Sequence, residues 1–411
     1  MQSDINKEIE KIYKSESGRI LASLVRILGD FELAEEAKQE AFSIALEKWP
    51  KEGIPKNPYS WLISAGKFRA IDSVRKMKRG WEIVSEKFPH NDSYPEDQVM
   101  ENDIVDDQLR LIFFCCHPAL PLDSRIALSL RDVCGMTTGE IAHAYLVSFE
   151  TIKKRITRAK LLFREKKIPF EIPPRSELKD RMEGILHVIY LIFNEGYSAS
   201  SGEDHIRKEL TDEAIYLCRN LVDLISIPES LGLLALLLLL ESRRTSRITQ
   251  YGDIIPLEKQ DRTLWDQNLI REGLELITQA VMSGRLGSYT IQAAIASVHA
   301  VADSLQSTRW DIIVGYYDML MSINPSPVIE LNRAIAVGMH EGPETGLVII
   351  NELLKKGSLD SYHLIYSAKA DFSQKLGLIE EAVISFKKAI KLARQEPERR
   401  YLENRLSEII K

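Results

Sequence analysis

The residues best suited to chemistry lie in one stretch, TTGEIAHAYLVSFETIKKRITRAK, residues 137–160. Thr151, Lys154 and Arg158 fall on one face of a helix, with Arg155 on its border, while Ile152, Ile156 and Ala159 fall on the opposite face. Lysine and arginine neutralise phosphates, and arginine can also read a guanine edge with two hydrogen bonds. This set of side chains therefore points to binding of an anionic polymer rather than to bond making. Thr137 and Glu140 have capping-box spacing, which starts a short helix. Ile141, Ala142 and Tyr145 give that helix an apolar side, and Ser148 is a good N-cap for the next. The result is a helix-turn-helix whose second helix has a cationic outer face of the kind that enters the DNA major groove. An ordinary solvated helix has the same pattern, so this window alone leaves both readings open.

Two other clusters could carry chemistry. Cys115-Cys116-His117 has metal-ligating residue types, but adjacent residues on a helix cannot all reach one ion, and no second ligand pair stands at a finger-like spacing. Glu203-Asp204-His205 lies in the segment Phe193-Asn194-Glu195-Gly196-Tyr197 plus SASSGEDH, which reads as a polar loop between helices. No nucleophile elbow, phosphate loop or metal-binding helix motif accompanies it. The expectation is a protein that is not an enzyme and has no cofactor and no metal.

The elements that position the cationic helix follow from the rest of the chain. Its 411 residues suffice for two or three domains. The formal net charge of −6 argues against a protein that coats nucleic acid non-specifically. Its distribution is uneven: about +3 over residues 1–80, about +5 over 137–167 and about −7 over 168–411. The 4 Cys are too few and too irregular for a disulfide framework, which fits a reducing cytoplasm. The first residues lack the apolar core of a signal peptide. The most apolar run, residues 231–240, is about half the length that spans a bilayer, so a helix buried on all sides within a helical array is expected there.

An N-terminal module covers residues 1–80. Ile20, Leu21, Leu24, Val25 and Leu28 form a helical stripe, and Gly29-Asp30 breaks it. A second helix, about 31–48, has Leu33, Ala34, Ala37, Ala41 and Ala45 at packing positions and an acidic surface of Glu32, Glu35, Glu36 and Glu40. A loop rich in proline follows. Trp61 opens a third helix, WLISAGKFRAIDSVRKMKRG, with Arg69, Arg75, Lys76 and Arg79 on one side. Such a helix could hold a DNA backbone while the tryptophan stacks on an unpaired base; the same tryptophan could equally anchor the core.

Residues 81–103 read as an acidic linker and 104–168 as a second module that contains the helix-turn-helix. Pro169, Pro173 and Pro174 mark the next boundary. Everything from 176 to 411 shows helical spacing and no sustained period of two, so the fold class is all-α. Within 327–411, Ala382, Phe386 and Ala389 match the second helix of a tetratricopeptide repeat, which needs small residues where helices touch and an aromatic to fill the groove.

Together the two N-terminal modules resemble a bacterial RNA polymerase sigma factor of the extracytoplasmic-function group, in the sigma-70 family. Asp30, Ala34, Glu35, Glu36, Gln39, Glu40, Ala41 and Phe42 match the region 2 pattern that docks on the polymerase clamp. Trp61-Leu62, Arg69-Ala70, Asp72 and Arg75 match the helix that meets the promoter near the start site. Thr151-Ile152-Lys153, Arg155 and Arg158-Ala159-Lys160 match the region 4 recognition helix, with Glu150 where many relatives have a small residue. Residues 176–411 resemble the helical, tetratricopeptide-like extension of one large subgroup, thought to replace a separate anti-sigma partner. The resemblance implies a cytoplasmic initiation factor that binds core RNA polymerase and promoter DNA and is regulated by its own extension through contact between 176–411 and the sigma domains, with no membrane partner. It implies a polymerase-binding set of Glu32, Glu35, Glu36, Gln39 and Glu40. The implied DNA-binding set is Trp61, Lys67, Arg69, Arg75, Lys76, Arg79, Ser148, Thr151, Lys153, Lys154, Arg155 and Arg158. A stand-alone helix-turn-helix regulator with a repeat-type sensor domain is the alternative.

Overall fold

Apolar side chains at helical spacing, interrupted by glycine and proline, produce a chain built from α-helices. The structure is a computed structural model, and it describes residues 2–79, 101–145, 147–198, 207–284 and 286–410. Among the described residues there is no named strand, only an isolated antiparallel bridge between Ile248 and Ile254. Two compact units result: one of residues 1–192 with 212–220, the other of residues 193–211 with 221–411.

In the first unit, α1 (Gln2–Leu28), α2 (Phe31–Glu52) and α3 (Pro58–Arg79) form a bundle. Ile20, Leu21, Leu24 and Val25 of α1 are buried, as the stripe requires. The Asp30 side chain accepts from the Leu33 N–H at 2.8 Å and starts α2. Ala34, Ala37, Ala41 and Ala45 are buried, and their small size allows close helix approach. Trp49 at the end of α2 meets Trp61 near the start of α3 edge to face, with ring centres 5.3 Å apart.

Next come α4 (Glu101–Cys115), α5 (Leu122–Asp132), α6 (Thr138–Ala144), α7 (Phe149–Lys166) and α8 (Arg175–Tyr197). All four cysteines are buried thiols. Cys116 Sγ lies 3.6 Å from Ser129 Oγ, and His117 Nδ1 accepts from the Ala119 N–H at 3.1 Å. The expected polar loop begins later than its sequence suggested: Phe193 to Tyr197 form the last turn of α8. Glu203, Asp204 and His205 lie outside the described residues.

The second unit contains most of the remaining helices. The apolar run forms α10 (Pro228–Glu241), in which residues 231–239 are all buried, and it packs on α11 (Gln267–Met282) and α12 (Ser288–Val301). Among the described residues no helix is long and apolar enough to cross a membrane. Half-buried arginines cap helix ends here: Arg247 donates to the Tyr197 carbonyl, and Arg262 to the carbonyls of His299 and Ala302. The negative end of a helix dipole favours such a cation.

Successive helices then stack with their neighbours: α13 (Trp310–Ile323), α14 (Pro327–His340), α15 (Pro343–Lys356), α16 (His363–Lys375), α17 (Ile379–Leu392) and α18 (Glu396–Ile410). Ala382, Phe386 and Ala389 of α17 are fully buried, and Phe386 and Ala389 pack with Ala370 of α16 and Leu402 of α18. Their burial against neighbouring helices follows from their helical spacing. Phe386→Ala should destabilise this region by about 3–5 kcal/mol, with the loss read from denaturant unfolding; a change below about 1 kcal/mol would show that Phe386 does not anchor the stack.

Candidate functional site

The helix-turn-helix forms as its caps dictate. The Thr137 N–H donates to Glu140 Oε2 at 2.7 Å, and the Glu140 N–H donates back to Thr137 Oγ1 at 3.1 Å. Ser148 Oγ accepts from the Thr151 N–H at 3.1 Å and starts α7. Ile152, Ile156, Ala159 and Phe163 are buried. Ser148, Lys153, Lys154 and Arg158 are exposed, and Thr151 is half-buried. Arg155, on the border, donates to Asp123 Oδ2 of α5 at 2.7 Å. The outer face of α7 is thus cationic, with one of its arginines already engaged. Phe149, 52% exposed, adds an apolar group at its start that charge patterning did not reveal.

On α3, Arg69 is exposed and Lys67 half-buried. Trp61 is half-buried against Trp49, so its main packing is that of a core anchor. Phe68, 48% exposed, is the more open aromatic on this helix, and nothing in the sequence pattern singles it out. The side chains of Arg75, Lys76 and Arg79 lie outside the described residues.

On α2 the acidic set divides. Glu36, Gln39 and Glu40 are exposed together with Glu32, whose Oε2 lies 3.4 Å from Arg164 Nη1 of α7. Glu35 does not share that surface. It is 7% exposed, with Oε1 2.5 Å from Arg131 Nη2 of α5 and Oε2 paired with Lys160 Nζ of α7. The reason is helical phase: Glu35 falls beside Ala34 and Lys38 on the flank that α5 and α7 cover, as does Lys38 at 4% exposure. Burial would raise the Glu35 carboxyl, but Arg131 and Lys160 outweigh it and hold the group below the ordinary carboxylate range. Beside these pairs, Phe31 of α2, Phe114 of α4 and Phe163 of α7 cluster, with Phe114 and Phe163 centres 3.9 Å apart.

Known proteins fit this arrangement. Residues 12–80 match the family model Sigma-70 region 2, residues 110–162 match Sigma-70, region 4, and residues 181–281 match a family of unknown function, DUF6596. An uncharacterised protein of Rhizobium meliloti (strain 1021) is 40% identical over 394 residues, which is 95% of this chain and 93% of the relative. The ECF RNA polymerase sigma factor SigK of Mycobacterium ulcerans (strain Agy99) is 27% identical over 145 residues, 34% of this chain and 75% of that protein. SigK of Mycobacterium sp. (strain KMS) is 26% identical over 149 residues, 35% and 75% of the two chains. No solved structure matches. The chain belongs to the sigma-70 family as a sigma factor of the extracytoplasmic-function type, followed by a DUF6596 segment. It is a transcription initiation factor, and membership implies binding of core RNA polymerase and promoter DNA.

One polar group at the edge of the sigma helices was not singled out from sequence. Glu213 lies on α9 (Lys208–Leu224) in the part of that helix that belongs to the first unit. Gln108 Nε2 of α4 donates to its Oε1 at 2.9 Å, and Arg19 Nη2 of α1 lies 3.7 Å from its Oε2. Its side chain is 13% exposed, and burial pushes the carboxyl up from 4.5 to about 7. Between those two pH values the folded chain holds a proton that the unfolded chain releases, so stability falls as pH rises through this window. Glu213→Gln should therefore raise the melting temperature at pH 8 and leave it nearly unchanged at pH 5; equal effects at both pH values would refute the raised carboxyl.

Proposed function

We propose that two separated faces divide the work of this sigma factor. Region 4, within residues 104–168, presents the outer face of α7 to the upstream promoter element. Thr151, Lys154 and Arg158 enter the major groove, Ser148 and Lys153 flank the contact, and Arg155 joins on leaving Asp123. Region 2, within residues 1–80, engages polymerase through Glu32, Glu36, Gln39 and Glu40, with Glu35 added when its flank is uncovered. On α3, Trp61, Lys67, Arg69, Arg75, Lys76 and Arg79 hold the promoter segment being opened, and Phe68 is added as a surface for base stacking. Residues 81–103 link the two modules. The protein works in the cytoplasm, where polymerase and DNA are, and is not an enzyme.

The observation that carries this reading is the exposed cationic face on α7, set on a buried apolar face of four residues, in a chain that also has the acidic α2. A stand-alone regulator is not favoured, because it leaves the region 2 match over residues 12–80 without a role. We also read residues 176–411 as a regulatory extension. Support comes from α8 up to Ile192 and residues 212–220, which cluster with the sigma helices.

The test uses holoenzyme assembled from the full chain and core polymerase. Arg158→Ala should weaken promoter binding by about 1–3 kcal/mol and relax base preference if the arginine reads a base. Lys154→Ala should weaken all sequences alike and make the salt dependence shallower if the lysine meets phosphate. Glu36→Lys with Glu40→Lys should reduce capture of core polymerase while leaving the fold intact by circular dichroism. Unchanged promoter binding and unchanged core capture in these variants would overturn the assignment.

A further inference from the structure

We propose that the second unit holds a binding site for a small amphipathic organic anion, a carboxylate with an apolar body. The site is the cleft between α11, α12 and the short turn Arg262–Leu264. None of its residues is among those assigned to DNA or to polymerase, and those from Arg262 to Thr278 fall within the DUF6596 segment.

The cleft has a volume of about 660 Å³, in the range of sites that take small molecules. Ile270 and Leu274 of α11 and Ala300 and Val301 of α12 give it an apolar wall, with Val301 60% exposed. Covering such a concave apolar surface is favourable for the hydrocarbon part of a ligand.

Arg262 forms the polar end. Its Nη1 donates to the carbonyls of His299 and Ala302, both at 2.6 Å, which fixes the guanidinium at the end of α12. Its Cζ lies 4.6 Å from the centre of the Trp265 ring, and Trp265 is held in turn where Nε1 donates to Ser246 Oγ at 2.9 Å. Capping the helix occupies Nη1. Nη2 is buried and has no hydrogen-bond partner among the described residues. A buried charged donor without an acceptor is unfavourable, and a guanidinium edge matches a carboxylate in shape and charge.

The local charge favours the same ligand. The Arg243 guanidinium lies 5.6 Å from the centre of the Trp265 ring, so two cations share one aromatic. Among the described residues, neither arginine forms an ion pair with an acid. Their field reaches His299: burial, with Arg243 and Arg262, pushes its imidazole down to about 4. Arg271, Glu275 and Asp303 also line the cleft, and all three are exposed. Asp303 acts on Arg262 through its charge alone, without a hydrogen bond or ion pair. One unused donor beside two acids suits a singly charged carboxylate; a phosphate dianion would meet more repulsion there.

The experiment titrates the full chain with phenylacetate and with octanoate by calorimetry, with phenylacetamide and phenyl phosphate as comparisons. One saturable site per chain is expected for at least one of the two carboxylates. Phenylacetamide has the shape of phenylacetate without the charge and should bind about tenfold more weakly. Arg262→Gln removes the charge and should weaken carboxylate binding about tenfold or more. Val301→Trp fills the cleft from an exposed position and should weaken binding without lowering the melting temperature; it serves if Arg262→Gln fails to fold. No saturable binding of either carboxylate, equal affinity for the amide, tighter binding of phenyl phosphate, or affinity unchanged by both substitutions would overturn the site. Capture of core polymerase by the same samples tests the sigma assignment separately.

Discussion

The arrangement of the sigma helices depends on one carboxylate. Glu35 of α2 is met from α5 by Arg131 and from α7 by Lys160, so a single buried anion joins three helices far apart in sequence. Removing one partner from such a buried pair strands the other charge, at a typical cost of about 3–5 kcal/mol. The surrounding aromatic cluster of Phe31, Phe114 and Phe163 supplies non-directional burial, and the charges determine which side chains meet. The consequence for function is geometric. With α5 and α7 seated on the Glu35 flank of α2, Glu36, Gln39 and Glu40 remain on its open side.

α7 illustrates how one helix serves several surfaces. Ile152, Ile156, Ala159 and Phe163 face the core; Lys160 turns toward Glu35 and Arg164 toward Glu32; Lys153, Lys154 and Arg158 point to solvent. The positive charge of this helix is therefore divided between an internal tie and an external face. The same division appears on α2, where acidic residues one position apart, Glu35 and Glu36, have opposite environments.

Much of this was legible in the amino-acid sequence because the governing signals are local. The capping box at Thr137 and Glu140, the N-cap at Ser148 and the apolar row of α7 all form as their spacing implies. The buried leucine run of α10 and the packing around Phe386 follow from periodicity in the same way. The environment of Glu35 was not legible, since its partners stand 96 and 125 positions away and a row of glutamates gives no sign of which one turns inward. The available hint was Arg131-Asp132 directly after the mostly apolar stretch Ile126 to Leu130. Trp61 drew attention as an aromatic beside cations, yet Trp49 packs against it, and Phe68 is the more exposed ring. Glu213 was invisible for a related reason: its burial depends on Gln108 and Arg19, which only the folded chain places beside it.

As a sigma factor, this chain directs core polymerase to particular promoters. The most direct measurement is run-off transcription with purified core RNA polymerase and the full chain, on a panel of promoters from the same genome. Transcripts with fixed start sites are expected on a subset of templates, appearing only when the chain is added. Specific DNA binding by the chain without any such transcript, and without association with core polymerase, would contradict it.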